Sequence, residues 1–198
     1  MDNTKQELRK EQILDAALRV IVRKGYDNSR MDDIVETSGL SKGAIYWYYK
    51  SKKEIYLSLV NYWVSRYSAP LNRIVENNES ASNQLQDLFQ FFITQYEQDP
   101  NLFKAMVEFW ALSGRDKDFH DKVQKVYSEF LELIKQIIEK GKRSGEFKNI
   151  DVLTTALSIM VNIEGIIWFT LFNGLGIGAR TYIETITDFI LSGLVKKT

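Results

Sequence analysis

The stretch SGLSKGAIYWYYKSKKE, residues 38–54, holds two helix starts and the turn that precedes them. The Ser41 hydroxyl can accept from a free amide of the following turn, so it caps a short helix over Lys42–Tyr49 with Ile45 facing inward. Ser51-Lys52-Lys53-Glu54 is a full capping box opening a longer helix. Gly39 suits the tight turn between two helices, which needs a positive φ or a missing side chain, and Leu40 can tuck beneath it. Tyr46, Trp47, Tyr48 and Tyr49 are consecutive, and on a helix of about two turns they point all around it. They cannot all be buried, so some face solvent or a partner.

Upstream, Leu8–Lys24 places Ile13, Leu14, Ala17, Leu18 and Ile21 on one helical face, and Gly25 follows as a C-terminal stop. Ser29, with Asp32 three residues on, reads as the cap of a second helix over Arg30–Thr37. Ile34, Gly39, Leu40 and Ile45 then have the spacing of a helix-turn-helix, whose second helix enters the major groove. Aromatics beside Lys42, Lys50, Lys52 and Lys53 fit a nucleic-acid surface, where hydroxyl and ammonium groups meet phosphates and ring edges touch bases. Residues 1–53 carry 11 Lys/Arg against 8 Asp/Glu, a surplus that the rest of the chain cancels to a net charge of zero. Global neutrality does not exclude nucleic acid, because a few well-placed cations suffice.

The ordered series Gly25-Tyr26, Ser29, Met31, Asp33-Ile34, Ser38 to Gly43, Ile45-Tyr46, Tyr49 and Ser51-Lys52 resembles the DNA-binding domain of TetR-family regulators over residues 8–57. The resemblance implies that Lys42, Gly43, Ala44, Trp47 and Tyr48 approach base edges and that Ser29, Arg30, Ser41, Tyr46 and Lys52 contact phosphates. Tyr49 stands where the family usually has phenylalanine, which leaves open whether it is core or offers its hydroxyl to DNA. Independently, the free amides at the start of the third helix favour a nearby phosphate, Gly43 permits close approach, and Lys42 can reach guanine acceptors. Lys52, opening the fourth helix, is expected to couple the operator backbone to the sensing part.

The chain has 198 residues, two prolines, no cysteine and 44% hydrophobic residues, a composition that suits an intracellular helical protein without disulfides. Residues 1–9 are polar, with no signal peptide pattern, and a cytoplasmic location is expected. His120 is the one histidine and lies in a charged segment, so common triads and zinc sites lack parts. No catalytic residue, metal or cofactor is expected.

Beyond residue 54, amphipathic segments span Glu54–Glu76, Ala81–Glu97, Pro100–Ser113, Asp116–Ser144, Val152–Phe172 and Ala179–Lys196, broken at Asn77-Asn78, Asp99-Pro100, Gly114, Gly145 and Asn173 to Gly178. Pro70 should kink or divide its helix near Ser68. Leu153–Phe172 is long enough to span a membrane, but Asn162, Glu164 and Gly165 at its middle argue for a buried interface helix and no membrane. With the apolar face of Tyr182, Ile183, Ile186, Phe189, Ile190 and Leu194 it can form half of a four-helix homodimer interface. Two recognition helices would then meet successive major grooves of a double-stranded DNA operator, about 34 Å or more apart.

The expected fold is therefore all-α: a helix-turn-helix domain, residues 1–53, joined by a long helix to a ligand-binding and dimerisation domain, residues 54–198, with about nine helices in all. Abundant rings there suggest an apolar effector cavity lined by Trp63, Tyr67, Phe92, Tyr96, Phe103, Met106, Trp110, Tyr127 and Trp168. Glu108 and Glu164 are its polar candidates, and a buried carboxylate beside rings would favour a lipophilic cation, with a neutral or acyl-chain effector left open. The resulting expectation is a repressor released by a small lipophilic effector, through a swing of the fourth helix. A helical carrier without DNA function is the rival, and it leaves Lys42, Trp47 and Lys52 unexplained.

Overall fold

The computed structural model describes residues 2–77, 79–172 and 176–196. Helices occupy Asp2–Asn28 (α1), Met31–Ser38 (α2), Lys42–Tyr48 (α3), Lys52–Glu76 (α4), Ala81–Gln98 (α5), Pro100–Ser113 (α6), Lys117–Ser144 (α7), Val152–Glu164 (α8), Trp168–Leu171 (α9) and Ala179–Leu194 (α10). Among the described residues no strand forms beyond one isolated bridge between Phe147 and Val195, so the all-α expectation holds. The expected breaks at Asn78 and at Asn173-Gly174 lie outside the described residues.

Two compact units divide the chain, one of residues 1–66 and 104–124, the other of residues 67–103 and 125–198. In the first, α1 buries Ile13, Leu14, Ala17, Leu18 and Ile21, as its periodicity requires, against a core that includes Ile34, Ile45, Ile55 and Leu59. Full burial of one such aliphatic side chain contributes about 1.5–3 kcal/mol. A run of ring contacts continues this core, Tyr56 on Tyr26, Tyr26 on Phe119, Phe119 on Phe109 and Phe109 on Trp63, with centroids 5.2–6.0 Å apart. Gly25 breaks the helical path of α1 with φ 71° and ψ 171°, a region open essentially to glycine alone.

The cap of α2 lies one residue later than expected. Arg30 is the cap residue, and the carboxylate of Asp33, not Asp32, accepts from its amide at 2.8 Å. Asp33 is held below the usual carboxylate range first by the Lys24 ammonium and then by that amide. Ser29 turns inward instead. Ser41 and Ser51 cap α3 and α4 as expected, accepting from Ala44 and Glu54 amides at 3.2 Å, while the Glu54 carboxylate reaches back to the Lys50 amide.

In the second unit α5 buries Leu85, Leu88, Phe89 and Ile93, α7 buries Ile134, Ile137 and Ile138, and α8 buries Ala156, Ile159, Met160 and Ile163. Glu146 caps α5 by accepting from the Ala81 and Ser82 amides at 2.9 Å. Burial opposes its ionisation, yet the Ser82 and Ala81 bonds outweigh that and hold it below the usual range. Arg180 of α10 grips Glu97 of α5 through two nitrogens. Residues 146–148 and the chain end clip together through Lys148 N to Leu194 O at 2.8 Å and Lys196 N to Glu146 O at 3.0 Å.

Two expectations are corrected here. α4 is not divided at Pro70, its helical assignment running unbroken from Lys52 to Glu76. The single helix expected over Val152–Phe172 is instead broken by a 3₁₀ turn at Gly165–Ile167. The Tyr182 hydroxyl donates to the Asn162 carbonyl at 3.1 Å and occupies the space a side chain at Gly165 would need. A side chain thus enters the helical ladder, a recognised cause of such breaks.

Candidate nucleic-acid interface and effector site

The turn before α3 is set by Gly39, left-handed at φ 69° and donating to the Val35 carbonyl at 3.1 Å. Gln12 of α1 fixes the same turn by donating to the Ser38 carbonyl at 2.7 Å. With α3 held by Ser41 at its start and by buried Ile45 and Tyr49 beneath, Lys42, Gly43 and Trp47 are exposed. Trp47 is 63% exposed, leaving much of a large apolar ring in contact with solvent. Its ring stands edge-on to Tyr48 with centroids 4.5 Å apart.

Lys42, Gly43 and Ser41 are exposed, and Ala44, Tyr46 and Tyr48 half-buried. A Cβ at Gly43 would meet nothing within 4 Å, so within the chain the missing side chain is not demanded by packing. Lys42 pairs with Asp32 at 2.7 Å, and the carboxylate raises the ammonium's pKa. Both side chains are well exposed, and such pairs contribute little and open easily. Tyr49 is core: burial pushes its hydroxyl up, against a hydrogen bond with Ser58.

Two residues expected at phosphates are engaged elsewhere. Ser29 is 2% exposed and its hydroxyl donates to the Tyr26 carbonyl at 2.7 Å. The Lys52 ammonium donates to the carbonyls of Tyr26 at 2.7 Å, Ser29 at 2.8 Å and Asp27 at 3.4 Å, and lies 4.4 Å over the Tyr26 ring. The backbone angle at Gly25 gathers these carbonyls at the end of α1, and a lysine satisfies them. Lys53 is likewise paired, with Asp116 and Asp118, which raise its pKa. Arg30 is exposed and available.

Polar residues of the first turns of α1 also border α3. Lys5, Gln6 and Arg9 join Leu40, Ala44, Trp47 and Tyr48 around a concavity of about 290 Å³. The signal in the sequence was the i, i+4 repeat of cations at 5 and 9.

The expected effector lining divides between the units. Trp63, Met106, Glu108 and Trp110 belong to the first; Tyr67, Phe92, Tyr96, Phe103, Tyr127, Glu164 and Trp168 to the second. Trp63 is core, edge-on to Phe109, with its buried indole nitrogen unpartnered. Glu108 is bound rather than poised for a ligand: it accepts from the Tyr26 amide at 3.1 Å. Trp168 is 59% exposed and stacks on Phe172 at 4.9 Å, so it does not line an interior.

Rings of the second unit do converge, Tyr67 on Phe91, Phe91 on Phe92 and Phe92 on Phe130, with Tyr96 on Phe103, all at 5.1–5.6 Å. Glu164 is half-buried, its Oε1 unpartnered. Burial pushes its carboxyl up to about 7, partly opposed by a hydrogen bond with Tyr127. Among the described residues no cluster of His, Cys, Asp and Glu could hold a metal ion.

A capped short helix presenting Lys42 and an exposed indole behind a glycine turn has the arrangement of a helix-turn-helix DNA-binding protein. Two family models match: bacterial regulatory proteins of the tetR family over residues 13–59, and the C-terminal part of BetI-type transcriptional repressors over residues 81–195. The HTH-type transcriptional regulator YfiR of Bacillus subtilis is 27% identical across 91% of this chain and 93% of its own. Among solved structures, FadR from Bacillus subtilis in complex with stearoyl-CoA is similar with a TM-score of 0.80 and 23% identity, covering 92% of this chain and 98% of its own. A protein from Saccharomonospora viridis in complex with choline has a TM-score of 0.86 and 23% identity, covering 97% of this chain and 100% of its own. The chain belongs to the tetR family and is a DNA-binding transcriptional regulator, not an enzyme.

Proposed function

We propose that the chain is a cytoplasmic repressor that binds a roughly palindromic operator as a homodimer and is released by a small lipophilic effector. Residues 1–53 contact DNA, and residues 54–198 sense and dimerise. The outward presentation of Lys42, Gly43, Ala44 and Trp47 on α3 carries the DNA half of this reading. Arg30, Ser41, Tyr46 and Tyr48 extend the contact. Lys42→Ala with Tyr46→Ala is expected to weaken operator binding about 10- to 100-fold in a gel-shift titration, by loss of a base contact and a phosphate contact. Ligand binding would be retained. A double variant that still binds the operator at parental affinity removes α3 from the interface and favours a carrier role.

Homodimerisation is supported by the outer face of α8 to α10. Leu153, Leu157 and Val161 recur every four residues on α8 and are exposed, opposite its buried stripe, and Trp168, Leu171 and Phe172 continue the patch. Phe189 on α10 is 72% exposed. Apolar surface of this kind marks an interaction site, and a second copy of the chain is the natural occupant. Leu157→Glu with Phe189→Glu should convert the protein to monomers in sedimentation experiments and lower operator affinity with it. A variant that sediments as the parent does refutes this interface.

For the effector, the unpartnered oxygen of Glu164 beside Tyr127 supports a cationic end, with Tyr67, Phe92, Tyr96 and Phe103 as apolar contacts. The choline complex of the Saccharomonospora viridis protein agrees with such a ligand, whereas the stearoyl-CoA of FadR is the acyl alternative. The effector shifts operator affinity only by the difference in its binding to the DNA-competent and released states, typically 1–3 kcal/mol.

A further inference from the structure

We infer that the first turns of α1 form a second phosphate-binding element, in which Lys5 and Arg9 hold the sugar-phosphate backbone flanking the base pairs read by α3. This rests on the DNA-binding reading of α3 and adds residues to it.

Three observations carry the inference. Helix α1 continues to Asp2, although no residue between 4 and 12 is buried. These turns therefore do not serve the core, which begins at Ile13. Second, they lie against the recognition helix: Lys5, Gln6 and Arg9 share one concavity with Ala44, Trp47 and Tyr48. The spacing of 5 and 9 puts both cations on one face.

Third, Lys5 and Arg9, like the exposed Arg30, lack the carboxylate partners that hold several nearby lysines among the described residues. Lys24, Lys42 and Lys53 are paired with carboxylates, and Lys52 is consumed by carbonyls. Neither Lys5 nor Arg9 has a carboxylate partner among the described residues; Arg9 donates to the neutral side chain of Gln12 at 2.8 Å. Two unneutralised cations on the edge of the DNA-reading helix complement a strand of phosphates. The floor of Trp47 and Leu40 suits the apolar face of a deoxyribose. The occupant is therefore duplex DNA, held through its backbone and without regard to sequence.

The test is fluorescence anisotropy with a labelled random-sequence duplex, titrated at several salt concentrations with the full-length parent, Lys5→Ala/Arg9→Ala, Arg9→Lys and Lys125→Ala, the last a single charge loss on α7. The double variant should bind several-fold more weakly, and the slope of log affinity against log salt should fall by about two per protomer. Arg9→Lys and Lys125→Ala should keep the parental slope. Thermal melts of all three variants should match the parent, since no buried group is touched. A double variant with parental slope and affinity overturns the inference while leaving the α3 reading intact, as does an equal effect from Lys125→Ala. A parent that binds no duplex at all overturns both.

Discussion

Gly25→Ala is expected to destabilise the first unit by about 2–4 kcal/mol, visible as a lowered urea midpoint at neutral pH, and to weaken operator binding with it. The backbone at Gly25 has φ 71° and ψ 171°, and holding alanine there costs about 1–3 kcal/mol. The new Cβ would also lie 3.3 Å from Oε2 of Glu108, the atom that accepts from the Tyr26 amide. If the carboxylate moves aside, a charge-assisted hydrogen bond worth about 1.5–3 kcal/mol is weakened. If instead the backbone relaxes, the carbonyls of Tyr26, Asp27 and Ser29 no longer converge on Lys52. Both routes loosen the seat of α2, whose cap follows at Arg30. A midpoint within experimental error of the parent would show that this turn is not the strained, fully engaged element its geometry indicates.

The same turn shows where sequence reading reaches its limit. Periodicity, caps and breaks located α3, α5, α6 and α10 to within about two residues, because signals such as Ser41, Pro100 and the glycine-containing break before Ala179 act through neighbours in sequence. The roles of Ser29 and Lys52 depend instead on a carbonyl cluster made by one backbone angle at Gly25. In the sequence, a lysine beside a recognition helix reads equally as a phosphate ligand or as a clamp. Ser29 reads as the cap of α2 from its residue type alone, whereas the reach of Asp33 to the Arg30 amide moves the cap to the next residue. Ring count foretold an aromatic-rich interior without saying which helical face each ring occupies. Trp63 thus belongs to the core with Phe109, Trp168 to the surface with Phe172, and Glu108 to a backbone amide. The burial of Glu164 has a visible cause in the sequence, because a carboxylate in the middle of the apolar run from Leu153 to Phe172 is carried inward with its neighbours.

Glu164→Gln is expected to abolish two pH dependences at once. Burial raises the folded-state pKa from 4.5 to about 7, so the folded chain holds the proton more tightly than the unfolded chain. Stability therefore falls as pH rises from the unfolded value through about 7 and levels off above it. The glutamine variant lacks that loss and should be more stable than the parent by about 1–3 kcal/mol at pH 8, with no advantage near pH 4. The urea midpoint across this range measures it. A cationic effector needs the ionised carboxylate, so its affinity runs the opposite way. For a lipophilic cation such as tetraphenylphosphonium, parental affinity should fall about tenfold between pH 8 and pH 6 as the group protonates, whereas Glu164→Gln should bind weakly and evenly across the range. An acyl-chain effector would show no such dependence, and would bind the glutamine variant at least as well as the parent. Stabilisation at pH 8 together with a flat cation titration in the parent would leave Glu164 a buried acid and remove it from ligand recognition. Without the stabilisation, the carboxylate is more solvated than its unpartnered oxygen implies.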